Sequence, residues 1–100
     1  MALFNTQTQS VNTPAVQTST TVLEANEYRK GWYIQNQAAT KLYVCLGDTA
    51  SSTVYHFILP AASGAADGTG GTFSQLSGVV FTGKITCYNG GTPSYTVLEH

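Results

Sequence analysis

Residues 28–47, YRKGWYIQNQAATKLYVCLG, decide the fold class. Two runs rich in aromatic and β-branched residues, Trp32-Tyr33-Ile34 and Leu42-Tyr43-Val44-Cys45-Leu46, flank a short, weakly apolar link, Gln37-Ala38-Ala39-Thr40. That pattern predicts two strands joined as a hairpin. Alternation puts Trp32 and Ile34 on one face and Tyr33 on the other. It likewise groups Leu42, Val44 and Leu46 against Tyr43 and Cys45. Both faces of the second strand are apolar, so one should line a core and the other should be covered by a sheet, a loop or another subunit. The stretch carries no obvious chemistry, which already points away from an enzyme.

Outward from this stretch the same signals recur. Thr20–Glu24 predicts a short strand, and Glu24–Glu27 a polar turn. Four of the nine charged residues fall between Glu24 and Lys30, a density expected of a solvated loop. Thr53–Leu59 predicts a strand that is apolar on both faces and ended by Pro60. Ala61–Gly71 contains four glycines and predicts a long connecting loop. It lacks the spacing and the following helix of a phosphate-binding loop. Thr72–Leu76, Val79–Phe81, Lys84–Tyr88 and Ser94–Glu99 complete the set, with Asn89-Gly90 as a strong turn signal. The closing Leu98-Glu99-His100 also resembles an expression-vector remnant, so His100 carries no weight. No segment holds a helical period over eleven or more residues. Six to eight short strands with regular turn signals predict an all-β domain, a sandwich or a barrel, with a small β-sandwich or jelly-roll-like fold favoured.

Residues 1–20 differ from the rest. Twelve of them are Thr, Gln, Ser or Asn, and no charge occurs before Glu24. Such a segment cannot bury enough apolar area to order itself. The expected organisation is an extended polar arm, residues 1–20, before a domain of residues 21–100. The arm suits a strand-like path along a neighbouring sheet edge, either of another subunit or of its own domain. Leu3, Phe4, Val11, Pro14 and Val16 are its candidate assembly contacts.

Composition narrows the function. One hundred residues make one domain. Charged residues are 9%, against about 25% in an average soluble protein. Four Lys and Arg in total cannot build a nucleic-acid face. No apolar run approaches the roughly 18 residues of a membrane span. The N-terminus lacks a signal-peptide pattern, giving an expectation of cytoplasmic synthesis. In that compartment Cys45 and Cys87 are expected as buried thiols, with a disulfide open only if their strands are neighbours. His56 is expected to be a packed or rim residue. Cys45, Cys87 and His56 are too scattered for a zinc site, and Asp48 and Asp67 make no calcium loop. No catalytic, metal or cofactor site is expected. The ten aromatic side chains outside the arm are expected to pack in the core and between subunits, with sugar stacking as the alternative.

The pattern Arg29-x-x-x-x-Ile34-Gln35-Asn36, a short polar link, then Leu42-Tyr43-Val44-x-x-Gly47 resembles a recurring type of small tailed-phage virion protein. Phe57-Ile58-Leu59 and Tyr95-Thr96-Val97-Leu98 resemble its later strands, so the likeness spans about residues 28–99. It implies a non-enzymatic capsid decoration (cement) protein on the surface of the virion, assembled in the host cytoplasm. Its partner would be the major capsid protein, and its own state a homo-oligomer, with a trimer favoured. Arg29 and Tyr43 join the arm residues as candidate assembly contacts. A carbohydrate- or receptor-binding module, or another head or tail accessory, is the alternative.

Overall fold

The computed structural model describes residues 19–64, 67–91 and 93–100. Seven strands are formed: β1 Thr20–Leu23, β2 Trp32–Asn36, β3 Leu42–Cys45, β4 Phe57–Leu59, β5 Thr72–Gln75, β6 Ile85–Tyr88 and β7 Tyr95–Glu99. They make two antiparallel sheets. One, sheet A, has the order β1-β6-β3-β4, and the other, sheet B, has the order β5-β2-β7. No helix occurs among the described residues.

The alternation read in the sequence is what lets the sheets face each other. Trp32, Ile34, Tyr95 and Val97 point from sheet B, and Leu42, Val44, Ile85 and Cys87 point from sheet A. All eight are fully buried and belong to one cluster. Each large apolar side chain withdrawn this way contributes about 1.5–3 kcal/mol. Trp32 keeps its indole N–H satisfied by donating to Gln75 Oε1 at 2.8 Å. At one side of the sandwich Phe57 of β4 stacks on Phe73 of β5, with ring centroids 4.3 Å apart. At the other side β1 and β7 meet, and the Tyr95 hydroxyl donates to the Thr21 carbonyl. A bulge between Thr21 and Leu23 lets Val22 and Leu23 both turn inward.

The expected hairpin does not form. β2 and β3 lie in opposite sheets, β2 between β5 and β7 and β3 between β6 and β4. Asn36 supplies the physical reason. Its buried side-chain N–H groups donate to the carbonyls of Thr40, Leu59 and Pro60, and its oxygen accepts the Ala38 N–H. These bonds turn the chain across the sandwich and fasten the link to the end of β4. Asn89, after β6, acts in the same way. It donates to Thr40 Oγ1 at 2.7 Å and to the Lys41 carbonyl, and accepts the Gly91 N–H. The Asn-Gly signal therefore marks a second crossover, again joining opposite sheets, and the two crossovers are tied together at Thr40–Lys41.

One strand expectation shortens and another fails. β4 starts at Phe57, because Ser51 closes a turn by accepting the N–H groups of Thr53 and Val54. Val79–Phe81 forms no strand. The C-terminal end is integral to sheet B: Lys30 and Gly31 donate to the His100 carbonyl, and His100 donates back to Gly31.

Candidate functional site

The outer face of sheet A carries the most distinctive surface among the described residues. In-register pairing sets Tyr43 of β3 between Tyr88 of β6 and Ile58 of β4. The alternation that buries Leu42 and Val44 necessarily turns Tyr43 outward. The loop before β4 brings Tyr55 alongside. The Tyr43 ring lies 5.1 Å from that of Tyr55, tilted by 60°, and 6.0 Å from that of Tyr88, tilted by 54°. Lys41 Nζ sits 5.9 Å from the Tyr43 ring centroid. Val54 is 52% exposed, Tyr55 42% and Ile58 38%. Tyr43, Tyr55, Tyr88 and Ile58 thus form a mostly uncharged aromatic and aliphatic face, with aromatic residues of the kind enriched at protein contact surfaces.

The rest of this outer face is covered by the chain itself. Cys45 and Thr86 are opposed across β3 and β6 and both are buried. The Thr86 hydroxyl donates to the Gly47 carbonyl, and Ala50 is buried nearby. The Ala50 N–H in turn donates to Ser19 Oγ at 2.9 Å, which fixes the start of β1 against this loop. The second apolar face of β3 is therefore half sealed by the loop from Gly47 and half presented as the tyrosine cluster. His56, on the same side, is exposed. Its Nδ1 accepts the Leu46 N–H at 2.9 Å and its own N–H donates to Val44.

Arg29 is where the sequence expectation is corrected. It was expected to meet an assembly partner, and the charges around it to be solvated. Glu24, Glu27 and Lys30 are exposed, but Arg29 is buried. Its Nη1 donates to the carbonyls of Phe81 and Gly83, and its Nη2 donates to that of Glu24 at 2.7 Å. Nη2 also lies 3.8 Å from Glu99 Oε2. Burial lowers the guanidinium pKa from its ordinary value, with the Glu99 carboxylate opposing the shift. Arg29 is an internal clamp joining three chain segments. Tyr43 is the one expected contact residue among those described that lies on the surface. Leu3, Phe4, Val11, Pro14 and Val16 lie outside the described residues.

The two cysteines are free and buried. Their strands are neighbours, yet Val44, not Cys45, stands opposite Cys87. Cys87 therefore faces the core and Cys45 the outer side, a geometry no disulfide can span without moving backbone. Burial pushes the Cys87 thiol up to about 12. Among the described residues no three His, Cys, Asp or Glu side chains gather closely enough to hold a metal ion, and no helix is long and apolar enough to cross a membrane.

A groove of about 400 Å³ runs beside β1, lined by Thr21–Asn26 and Glu99. Asn26 Nδ2 donates to Glu99 Oε1 at 2.9 Å, so the groove's buried acid is held by Asn26 and Arg29. No strand pairs with the outer edge of β1 among the described residues.

No family model, no curated protein and no solved structure matches this chain.

The sequence named Tyr43 but missed Tyr55 and Tyr88 as its companions. The aromatic residues were visible. What brings them together is the pairing of β3 with β4 and β6, which no local signal encodes.

Proposed function

We propose that this chain is a non-enzymatic structural protein that works by docking, and that it decorates the head of a tailed phage by binding the major capsid protein. The observation that carries the docking part is the outward tyrosine face on sheet A. A rigid sandwich holds the Tyr55 and Tyr88 rings each against Tyr43, with Ile58 paired beside it. Tyrosine combines large apolar area with a polar tip at low rotamer cost, which suits it to protein contacts. The capsid partner comes from the resemblance of the Arg29–Gly47 pattern to virion proteins. The low charge of the chain also favours association over solubility as an isolated monomer.

The test is co-sedimentation of the purified chain with shells of the major capsid protein from the same virus. Saturable binding is expected, with Tyr43→Ser/Tyr55→Ser weakening it at least tenfold. Shells that pellet without the chain would overturn the reading.

Carbohydrate recognition is the second reading, favoured by the same cluster of rings. Against it, Trp32 is wholly buried, and the tyrosines lean on one another at 54–60° rather than offering one flat platform. Selective glycan binding that is lost in Tyr55→Ser would move the assignment to this reading.

A further inference from the structure

We infer that the tyrosine face of sheet A is the seat of residues 11–18 of the same chain, which cover the docking surface until a partner displaces them. The strand register places this segment beside the face. Along β1, Thr21 stands opposite Thr86 and Thr20 opposite Cys87, so the chain ahead of Thr20 heads for the level of Tyr88. Tyr88 stands opposite Tyr43, and Tyr43 opposite Ile58. The arm therefore joins the domain at the β1 end of the row that makes up the face. It joins on the outer side: Ser19 Oγ accepts the N–H of Ala50, from the loop that lies over that side of sheet A.

Reach and chemistry both fit. Neighbouring strands lie about 4.8 Å apart, so Tyr43 is about 10 Å across the sheet from β1. Val16, three residues from Ser19, reaches about 10 Å, and Pro14, five residues away, about 17 Å. Residues 11–18, VNTPAVQT, hold no charge and offer Val11, Pro14, Ala15 and Val16. The face they would meet has Tyr55 and Ile58 exposed and only Lys41 as a charge on Tyr43. Aromatic-lined surfaces take proline-containing segments in this way. Pro14 fixes its own φ and holds Thr13 away from the helical region, which lowers the cost of ordering the segment. A tether this short gives an effective concentration of about millimolar, which favours the arm of the same chain over that of a second copy.

The inference rests on the proposed function in taking the tyrosine face as the docking surface, and its first test needs no capsid. In the ¹³C-labelled full chain, NOEs are expected from Val16 methyl and Pro14 ring protons to the Tyr43 and Tyr88 rings. They are expected to persist when labelled chain is diluted tenfold into unlabelled chain. Val16→Ser is expected to shift the Tyr43 and Tyr88 ring signals while the amide spectrum stays dispersed. It is also expected to tighten binding to capsid-protein shells by about threefold or more, because a larger fraction of the chain is then open to dock. Absence of the NOEs, NOEs only between labelled and unlabelled chains, ring signals that Val16→Ser leaves in place, or shell binding that it leaves unchanged or weakens would each overturn the inference. Shell binding without the NOEs would sink this inference and leave the function standing. The NOEs, with shells bound by neither form, would sink the function and leave the seat standing.

Discussion

At the residue scale, Arg29 concentrates the most consequence in one side chain. It is a buried cation that closes carbonyls of Glu24, Phe81 and Gly83 and faces Glu99. Arg29→Met removes the cation and leaves those acceptors and the Glu99 carboxylate without it. A loss of about 3–5 kcal/mol is expected, because breaking a buried pair from one side exposes the full desolvation cost of the other. Urea unfolding would measure it; a change below about 1 kcal/mol would contradict the clamp. Cys87 makes a second prediction, in alkali. Its folded pKa, about 12, lies above the value near 8.5 of an open thiol. Between those values the unfolded chain releases a proton that the folded chain keeps. Stability is therefore full below pH 8.5 and falls above it, by up to about 1.4 kcal/mol per pH unit. Tyr95, whose hydroxyl is also raised by burial and by Cys87, steepens the fall above pH 10. Urea midpoints from pH 7 to 11 should show this, with a shallower alkaline slope in Cys87→Ala.

At the scale of elements, the two crossovers are one device. Asn36 and Asn89 reach the same short link from opposite ends and meet around Thr40 and Lys41. Asn36→Ala and Asn89→Ala are each expected to destabilise by about 1–3 kcal/mol through unpaired backbone groups. The double variant is expected to depart from additivity by at least about 0.5 kcal/mol. Strict additivity would mean that the crossovers are independent. Gly70 belongs to the same region: a Cβ there would collide with the Asn36 carbonyl, so Gly70→Ala should be destabilising even though the residue sits in a loop. These elements also show how far the sequence could be read. The period-2 pattern located all seven strands and grouped Trp32 with Ile34 on one face, the face the structure buries. It could not tell a hairpin from a crossover, since both need two strands and a polar link. The choice was made by a buried asparagine bonded to Leu59 and Pro60, residues distant in sequence. That Tyr43 lies opposite Leu42 and Val44 was legible; which of the two faces meets the core, and Tyr43's ring partners, were not. Arg29 was misplaced because a charge in a charged stretch ordinarily means solvent, and only the tertiary fold supplies three converging carbonyls.

At the scale of the whole molecule, the sandwich closes its core between two sheets and leaves the tyrosine face on the outer side of sheet A. The strand order has a further consequence, in time. Only β3 and β4 are neighbours both in sequence and in a sheet; every other pairing joins strands far apart in the chain. Topologies of that kind fold in about milliseconds to seconds, much slower than locally paired ones. Trp32, the single tryptophan, is buried between the sheets and reports their closure. Stopped-flow refolding should therefore show its signal developing in that range, and a microsecond phase carrying the full amplitude would contradict the topology argument. On a growing chain, β2 acquires its second neighbour only with residues 95–99. The sandwich therefore cannot shut until residues 95–99 have been made, and the nascent chain stays open until then.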